Sequence, residues 1–222
     1  MTLNVLYEDN HVIAVIKPAG LLVQGDKTGD KTLMDWVKEY LKDKYKKQGN
    51  VFLGLVHRLD RNVSGVVLFA KTSKGAARLS EQFRNNEIKK FYHAVVEGRI
   101  SPANGDLVHY LKKDEEKRVA LVSNSPKSGY DKSELEYEVI KSSTEYSLIK
   151  VNLITGRFHQ IRAQFSHIGH PIVGDGKYGS KEKMKDGSIA LCAVGVEFKT
   201  ATTGEVKTIK IDYPKDWNKF VE

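Results

Sequence analysis

The nonapeptide HRLDRNVSG (residues 57–65) is a polar run between two apolar stretches, 51–56 and 66–70. A loop entered and left by buried strands sets Arg58 and Asp60 beside poorly solvated sheet edges. A carboxylate there needs a cation or hydrogen-bond donors. Arg162 is a candidate partner for Asp60. It stands four residues after Phe158 and three before Phe165, on the shoulder of a helical apolar stripe, where an arginine in turn needs a carboxylate. From spacing alone, local satisfaction or a purely structural ion pair is favoured over catalysis.

Other patterns carry less chemistry. GDGKYG (174–179) has the glycine spacing of a dinucleotide-binding loop, but the following SKEKMKDGS lacks the apolar face of the required helix, so a glycine-rich turn is expected. No phosphate-binding loop ending in Gly-Lys-Ser or Gly-Lys-Thr is present, and Ser64 and Ser80 lack a Gly-x-Ser-x-Gly setting. His159, His167 and His170 are not followed by a carboxylate at ligand spacing, so no metal is expected. Tyr92 lies in FYHAVVEG (91–98), beside Lys89, Lys90 and His93. It reads either as a core strand residue or as a stacking platform for an extruded base with a basic rim.

The elements that must hold these residues follow from periodicity. Residues 12–17 read as a strand broken by the turn KPAG (17–20). Leu33, Trp36, Val37, Tyr40, Leu41 and Tyr45 share a helix face, and residues 73–83 form a second helix capped by Thr72 or Ser73. Residues 51–56, 66–70 and 88–97 are expected strands, followed by the alternating Leu135, Tyr137, Val139 and Ile149, Val151, Leu153. The polar segment 101–132, with KKDEEKR at 112–118, is expected as surface hairpins or loops. Phe158, Ile161, Phe165 and Ile168 mark a last helix, ended by Gly169 and Pro171. The expectation is an α+β fold without repeats or linkers, one continuous domain over residues 1–222.

The chain has 222 residues, with 40% apolar and 29% charged side chains, which excludes disorder as its main state. No apolar run approaches the ~20 residues of a membrane span, and the N-terminus lacks a signal-peptide pattern, so a cytoplasmic protein is expected. The single Cys192 excludes an intrachain disulfide and any site built from several thiolates. The net charge is +8. That total fits a solubility charge as well as a polyanion partner. The arginines say more, since only eight occur beside 28 lysines, and Arg58, Arg61, Arg157 and Arg162 fall within residues 57–65 and 155–163.

KPAG at 17–20, LVHRLDRNVSGVVLFAKT at 55–72, KKFYHAVVEG at 89–98 and TGRFHQIRAQFSHIGHPIVGDGKYG at 155–179 together resemble the ordered motifs of the RluA-type pseudouridine synthases. The resemblance runs from about Val12 to Phe198. It implies the pseudouridine synthase catalytic fold, a central mixed, mostly antiparallel sheet with flanking helices and an RNA-binding cleft. It also implies isomerisation of uridines in ribosomal or transfer RNA without a cofactor. Carried over residue by residue, Asp60 is the implied nucleophile, Tyr92 the base-stacking residue and Arg162 the arginine paired with Asp60. Arg58 helps displace the target base, Leu191 lines the uracil pocket, and Arg157 joins the RNA-facing set. The separate N-terminal S4 module of many relatives is not expected, because the first motif begins near Val12. RNA is the expected partner, with no DNA or membrane, and a monomer is the default.

Five positions depart from the family pattern. Val63 replaces a threonine, Phe158 a polar residue, Cys192 a histidine, and Thr200-Ala201 a His-Pro pair. None removes a proposed catalytic group. Two further readings stay open at this point, a noncatalytic RNA-binding relative and a carboxylate glycosidase acting on free nucleosides.

Overall fold

The computed structural model describes residues 2–25 and 29–222. In chain order its elements are β1 (Val5–Glu8), β2 (Val12–Lys17), α1 (Leu33–Lys44), β3 (Gly54–Leu55), β4 (Ser64–Ala70), α2 (Ser73–Arg84), β5 (Lys89–Glu97), β6 (Asn104–Asp114), β7 (Val119–Ser123), β8 (Asp131–Ser142), β9 (Tyr146–Leu153), α3 (Gln160–His167), β10 (Leu191–Lys199) and β11 (Val206–Lys210). Short 3-10 turns cover Gly176–Tyr178 and Lys215–Phe220. The expected α+β class is the observed one. The chain forms two compact units, Met1–Ile88 with Gly195–Ile211, and Lys89–Val194 with Asp212–Glu222. Each unit is assembled from separate chain segments, which explains why no linker marks a boundary in the sequence.

In the first unit β2 pairs antiparallel with β1 and with β4, β3 pairs with β4, and β11 with β10. Val12, Ile13, Ala14 and Val15 are all fully buried. Both faces of β2 are therefore covered, and its sequence reads as a continuous apolar run instead of an alternation. The β2–β4 register runs from Val12 opposite Ala70 to Lys17 opposite Gly65. It brings the turn after β2 beside the loop before β4, that is, KPAG beside HRLD. The expected strand over 51–56 is reduced to two paired residues. Val51 and Leu53 are buried without ladder partners, so apolarity there reports burial and not pairing.

Both helices of this unit have side-chain caps. Thr32 and Asp35 form a capping box on α1, and the Thr72 hydroxyl accepts from the Gly75 amide on α2. Each such cap contributes about 1 kcal/mol. Thr72 and not Ser73 is the cap, because Ser73 already has helical geometry. Leu79 of α2 packs with Val12, Ala14, Val66, Leu68 and Phe198 in the core.

The second unit is an antiparallel sheet in the order β5-β9-β8-β6-β7. The polar segment 101–132 forms its outer hairpin, β6 with β7, and KKDEEKR spans the tip. Strand alternation hides Leu107, His109 and Leu111 while exposing Val108. The helix α3 packs on β6 and β7. Gln164, fully buried on α3, donates to the carbonyls of Leu107 and Ser133 and so ties the helix to two strands.

Candidate active site

The residues of the first motif are placed by backbone carbonyls and one buried cation. Lys17, with no exposed surface, donates from Nζ to the carbonyls of Pro18 (2.9 Å), Leu21 (2.8 Å) and Arg61 (3.0 Å). Three acceptors match the three N–H bonds of an ammonium, one more than a neutral amine offers. Burial pushes the Lys17 pKa down to about 7; the Asp60 carboxylate opposes this fall and Arg61 adds to it. The Arg61 carbonyl also accepts from the Gly20 amide at 2.8 Å, and Arg61 Nε returns a bond to the Gly20 carbonyl at 3.0 Å. Gly20 has φ +84°, the left-handed geometry that glycine adopts without a Cβ penalty.

KPAG is therefore a clamp on the residue after Asp60, a role sequence reading gave only as a turn. On the far side, His57 Nε2 accepts from the Leu68 amide at 2.8 Å, and the His57 ring stacks on Phe83 of α2. The Val63 amide bonds the Asp60 carbonyl at 3.1 Å, and the Val63 side chain is buried. Asp60 itself is half-buried, and Arg58 is exposed to solvent.

In the second unit Tyr92 stands on β5 opposite Val151 of β9, which stands opposite Tyr137 of β8. Directly opposed residues of antiparallel strands share a sheet face. Tyr137 meets Phe165 of α3 edge-on at 5.7 Å, so Tyr92 lies on the face that α3 covers. Tyr92 is 9% exposed. The expected basic rim is only partly present on this face. Lys90 shares the parity of Tyr92, whereas Lys89 and His93 point to the opposite side. His93 packs instead against Tyr213 at 5.4 Å. Lys90, pushed down to about 8 by burial, donates to the Ile154 carbonyl.

The last helix starts later than the apolar spacing suggests. His159 caps it in the left-handed conformation (φ 51°, ψ 25°), and Gln160 closes the turn by accepting from Thr155 Oγ1 at 2.7 Å and the Arg157 amide at 3.0 Å. Phe158 is thus outside α3. It stacks on the His159 ring at 3.8 Å, with Lys113 Nζ 5.2 Å from its centre.

Arg162 is buried on α3, and its guanidinium grips a carboxylate that sequence reading did not name. Nε meets Asp175 Oδ2 at 2.6 Å and Nη2 meets Oδ1 at 2.9 Å. Asp175 belongs to GDGKYG, which is the turn expected and has the additional role of holding Arg162. The usable signal was chemical, since a buried arginine requires a carboxylate and an aspartate flanked by glycines follows its helix. The Tyr178 ring lies 5.0 Å from the Arg162 guanidinium carbon.

Arg157 is exposed, with Nε on the Lys132 carbonyl at 3.2 Å and Nη1 3.8 Å from Asp131. Leu191 and Cys192, the first residues of β10, are buried, and Thr200-Ala201 begins the turn between β10 and β11. His159 meets Tyr178 Oη, His167 meets Asn124, and His170 meets the Glu97 carbonyl. Among the described residues no group of three or more His, Cys, Asp or Glu could hold a metal, and no helix is long and apolar enough to cross a membrane.

The ordered motifs, the sheet and the clamped HRLD loop define a class, and comparison with known proteins agrees. The model of the RNA pseudouridylate synthase family matches residues 11–167, and the chain belongs to that family. It is an RNA pseudouridine synthase of the RluA type, an isomerase. The relative named "uncharacterized RNA pseudouridine synthase YlyB" of Bacillus subtilis is 31% identical over 226 residues, covering 100% of this chain and 73% of its own length. The tRNA pseudouridine synthase C of Haemophilus ducreyi is 38% identical over 189 residues, covering 81% of this chain and 75% of its own. In fold, the human RNA pseudouridylate synthase domain containing 4 superposes with a TM-score of 0.80 at 21% identity, over 97% of this chain and 90% of that one.

Proposed function

We propose that this enzyme converts specific uridines of structured RNA to pseudouridine with Asp60 as nucleophile, and that transfer RNA is among its substrates. The transfer RNA assignment is supported by relatives named tRNA pseudouridine synthase C; ribosomal RNA is the other class of structured substrate considered. The observation that carries the assignment of Asp60 is its loop. The residue that follows Asp60 is clamped through its carbonyl by Lys17 and Gly20, inside the family-matched span.

In the reaction the N1–C1′ bond breaks, the uracil turns over, C5 bonds to C1′, the C5 proton leaves and N1 gains a proton. No atoms are gained and no electrons are exchanged overall, so a carboxylate suffices without a cofactor. Arg162 is read as the arginine that serves Asp60, a role supported by its place in the motif at 155–179. Tyr92 stacks on the uracil and relays the C5 proton. Arg58 helps displace the target base, Leu191 lines the uracil pocket and Arg157 contacts the RNA. The nucleotide leaves its stack at a cost of a few kcal/mol, which lysine contacts to phosphates offset. Residues 1–222 are read as one catalytic domain, acting as a cytoplasmic monomer.

The test is tritium release from RNA carrying 5-tritiated uridine. Asp60→Asn is expected to abolish release while RNA binding persists, and full activity in that variant would sink the assignment.

A further inference from the structure

We propose that Asp175 is a positioning residue that fixes the orientation of Arg162 during turnover. The inference rests on the reading of Arg162 as the cation that serves Asp60. The side-on grip commits Nε and one hydrogen of Nη2 to the two oxygens of Asp175. It thereby sets the plane of the rigid guanidinium and the direction of its remaining N–H bonds. Neither partner has room to rotate. The Arg162 and Asp175 side chains are 8% and 2% exposed, and the Tyr178 ring packs on the guanidinium.

The turn that carries Asp175 is itself anchored. The Asp175 amide bonds the Ile172 carbonyl at 2.9 Å, while its own carbonyl accepts from the amides of Tyr178 (2.9 Å) and Ser180 (3.1 Å). Ser180 Oγ accepts from the Gly174 amide at 3.0 Å and donates to Glu97 Oε1 at 2.6 Å, which pins the turn to the end of β5. Gly174 has φ +87°, and a Cβ there would meet the Ser188 carbonyl oxygen at 2.8 Å, so the turn has a single tolerated course. Tyr178 reaches further. Its hydroxyl accepts from the Ala120 amide at 2.7 Å and lies 2.9 Å from Nδ1 of His159, the cap of α3. The helix bearing Arg162 and the turn bearing Asp175 are thus fixed to each other at two points.

A buried ion pair adds little net stability over an apolar equivalent. Its value here is geometric. Asp175 also balances the arginine's charge, so what Arg162 supplies to a neighbouring carboxylate depends on the direction of its hydrogen bonds as much as on its field. An amide at 175 would turn one N–H toward the guanidinium and break the two-point grip.

The experiment uses the full chain and unfractionated RNA labelled with 5-tritiated uridine, from cells lacking the enzyme. For folded Asp175→Asn, checked by circular dichroism, kcat is expected to fall about 10- to 100-fold with KM within about threefold of the parent. A purely structural role would lower the folded fraction and leave kcat per folded enzyme in place. Ser180→Ala, which loosens the turn without touching the ion pair, is expected to lower kcat the same way by less, and it decides the matter should Asp175→Asn not fold. A kcat within about twofold of the parent in the folded variant, or a loss that falls on KM instead of kcat, overturns the proposal. Asp60→Asn run alongside separates the two readings. If it stays active, the nucleophile assignment fails; if it is inactive while Asp175→Asn behaves as the parent, only the positioning role fails.

Discussion

Lys17, buried at the end of β2, donates to the backbone carbonyl of Arg61 at 3.0 Å, so the residue that follows Asp60 is held by a cation from the preceding motif. The two motifs lie 43 residues apart from Lys17 to Asp60, yet the β2–β4 register makes them neighbours. The clamp ties the stability of the unit to the placement of the proposed nucleophile.

Replacing Lys17 by methionine removes the desolvation cost of the ammonium but strips a donor from three carbonyls. An unsatisfied buried acceptor costs about 1–3 kcal/mol. Lys17→Met is therefore expected to lose at least about 2 kcal/mol of unfolding free energy, read as a lower urea midpoint, and to lower kcat in its folded fraction. Lys17→Arg is expected not to restore either, since a site with no exposed surface shaped for three point-like bonds has no space for a planar fork.

Acid stability follows from Glu8. Burial alone pushes its pKa up, but hydrogen bonds from Lys44, Lys71 and Tyr45 outweigh this and bring it down to about 2. A carboxylate depressed on folding contributes stability that is fully present above its unfolded value, near 4.5, and is lost as pH falls toward the folded one. After allowance for solvent screening, Glu8→Gln is expected to cost about 1–2 kcal/mol at pH 7. The gap between parent and variant is expected to close as thermal melts are taken from about pH 4.5 down to about pH 2. A gap that stays constant over that window would place the effect elsewhere.

Gly75 of α2 reverses a general expectation. Alanine in a helix interior is about 1 kcal/mol better than glycine. Here a Cβ at 75 would meet the His11 carbonyl oxygen at 2.5 Å, a backbone atom whose chain also receives the Lys71 amide. Gly75→Ala is expected to lower the urea midpoint, by about 1–3 kcal/mol in unfolding free energy. A raised midpoint would mean that α2 can shift away from His11 at little cost.

What the sequence made legible was local. Residues 12–17 are a strand with the expected limits because an uninterrupted apolar run ended by Lys-Pro has one reading, and Thr72 with the apolar face of α2 marked that helix to within a residue. What stayed hidden depended on contacts between distant segments. Val51 and Leu53 are as apolar as a strand but lack ladder partners. The start of α3 is set by His159 in a left-handed conformation and by the Gln160 side chain, neither of which periodicity reports. Arg162 was read as needing a carboxylate, with Asp60 as the candidate. Its grip on Asp175, 13 residues later, arises only when the turn after α3 folds back over the helix.

Tyr92 offers a separation of ring from hydroxyl. It shares its sheet face with Val151 and Tyr137, and at 9% exposure its ring is part of the packing as well as of the proposed site. Tyr92→Phe keeps the ring, so stability and RNA affinity are expected to stay close to the parent, while loss of the proposed proton relay lowers kcat about 100-fold or more. Tyr92→Ala removes the ring as well and is expected to destabilise the unit by about 3–5 kcal/mol in addition. Filter binding, urea melts and tritium release on the same preparations distinguish the cases. If the hydroxyl relays the C5 proton, Tyr92→Phe fails at the step after the glycosidic bond has broken, and RNA bound to the enzyme accumulates without tritium release. If Tyr92 serves only as a platform, Tyr92→Phe turns over at the parent's rate and only the alanine variant is impaired.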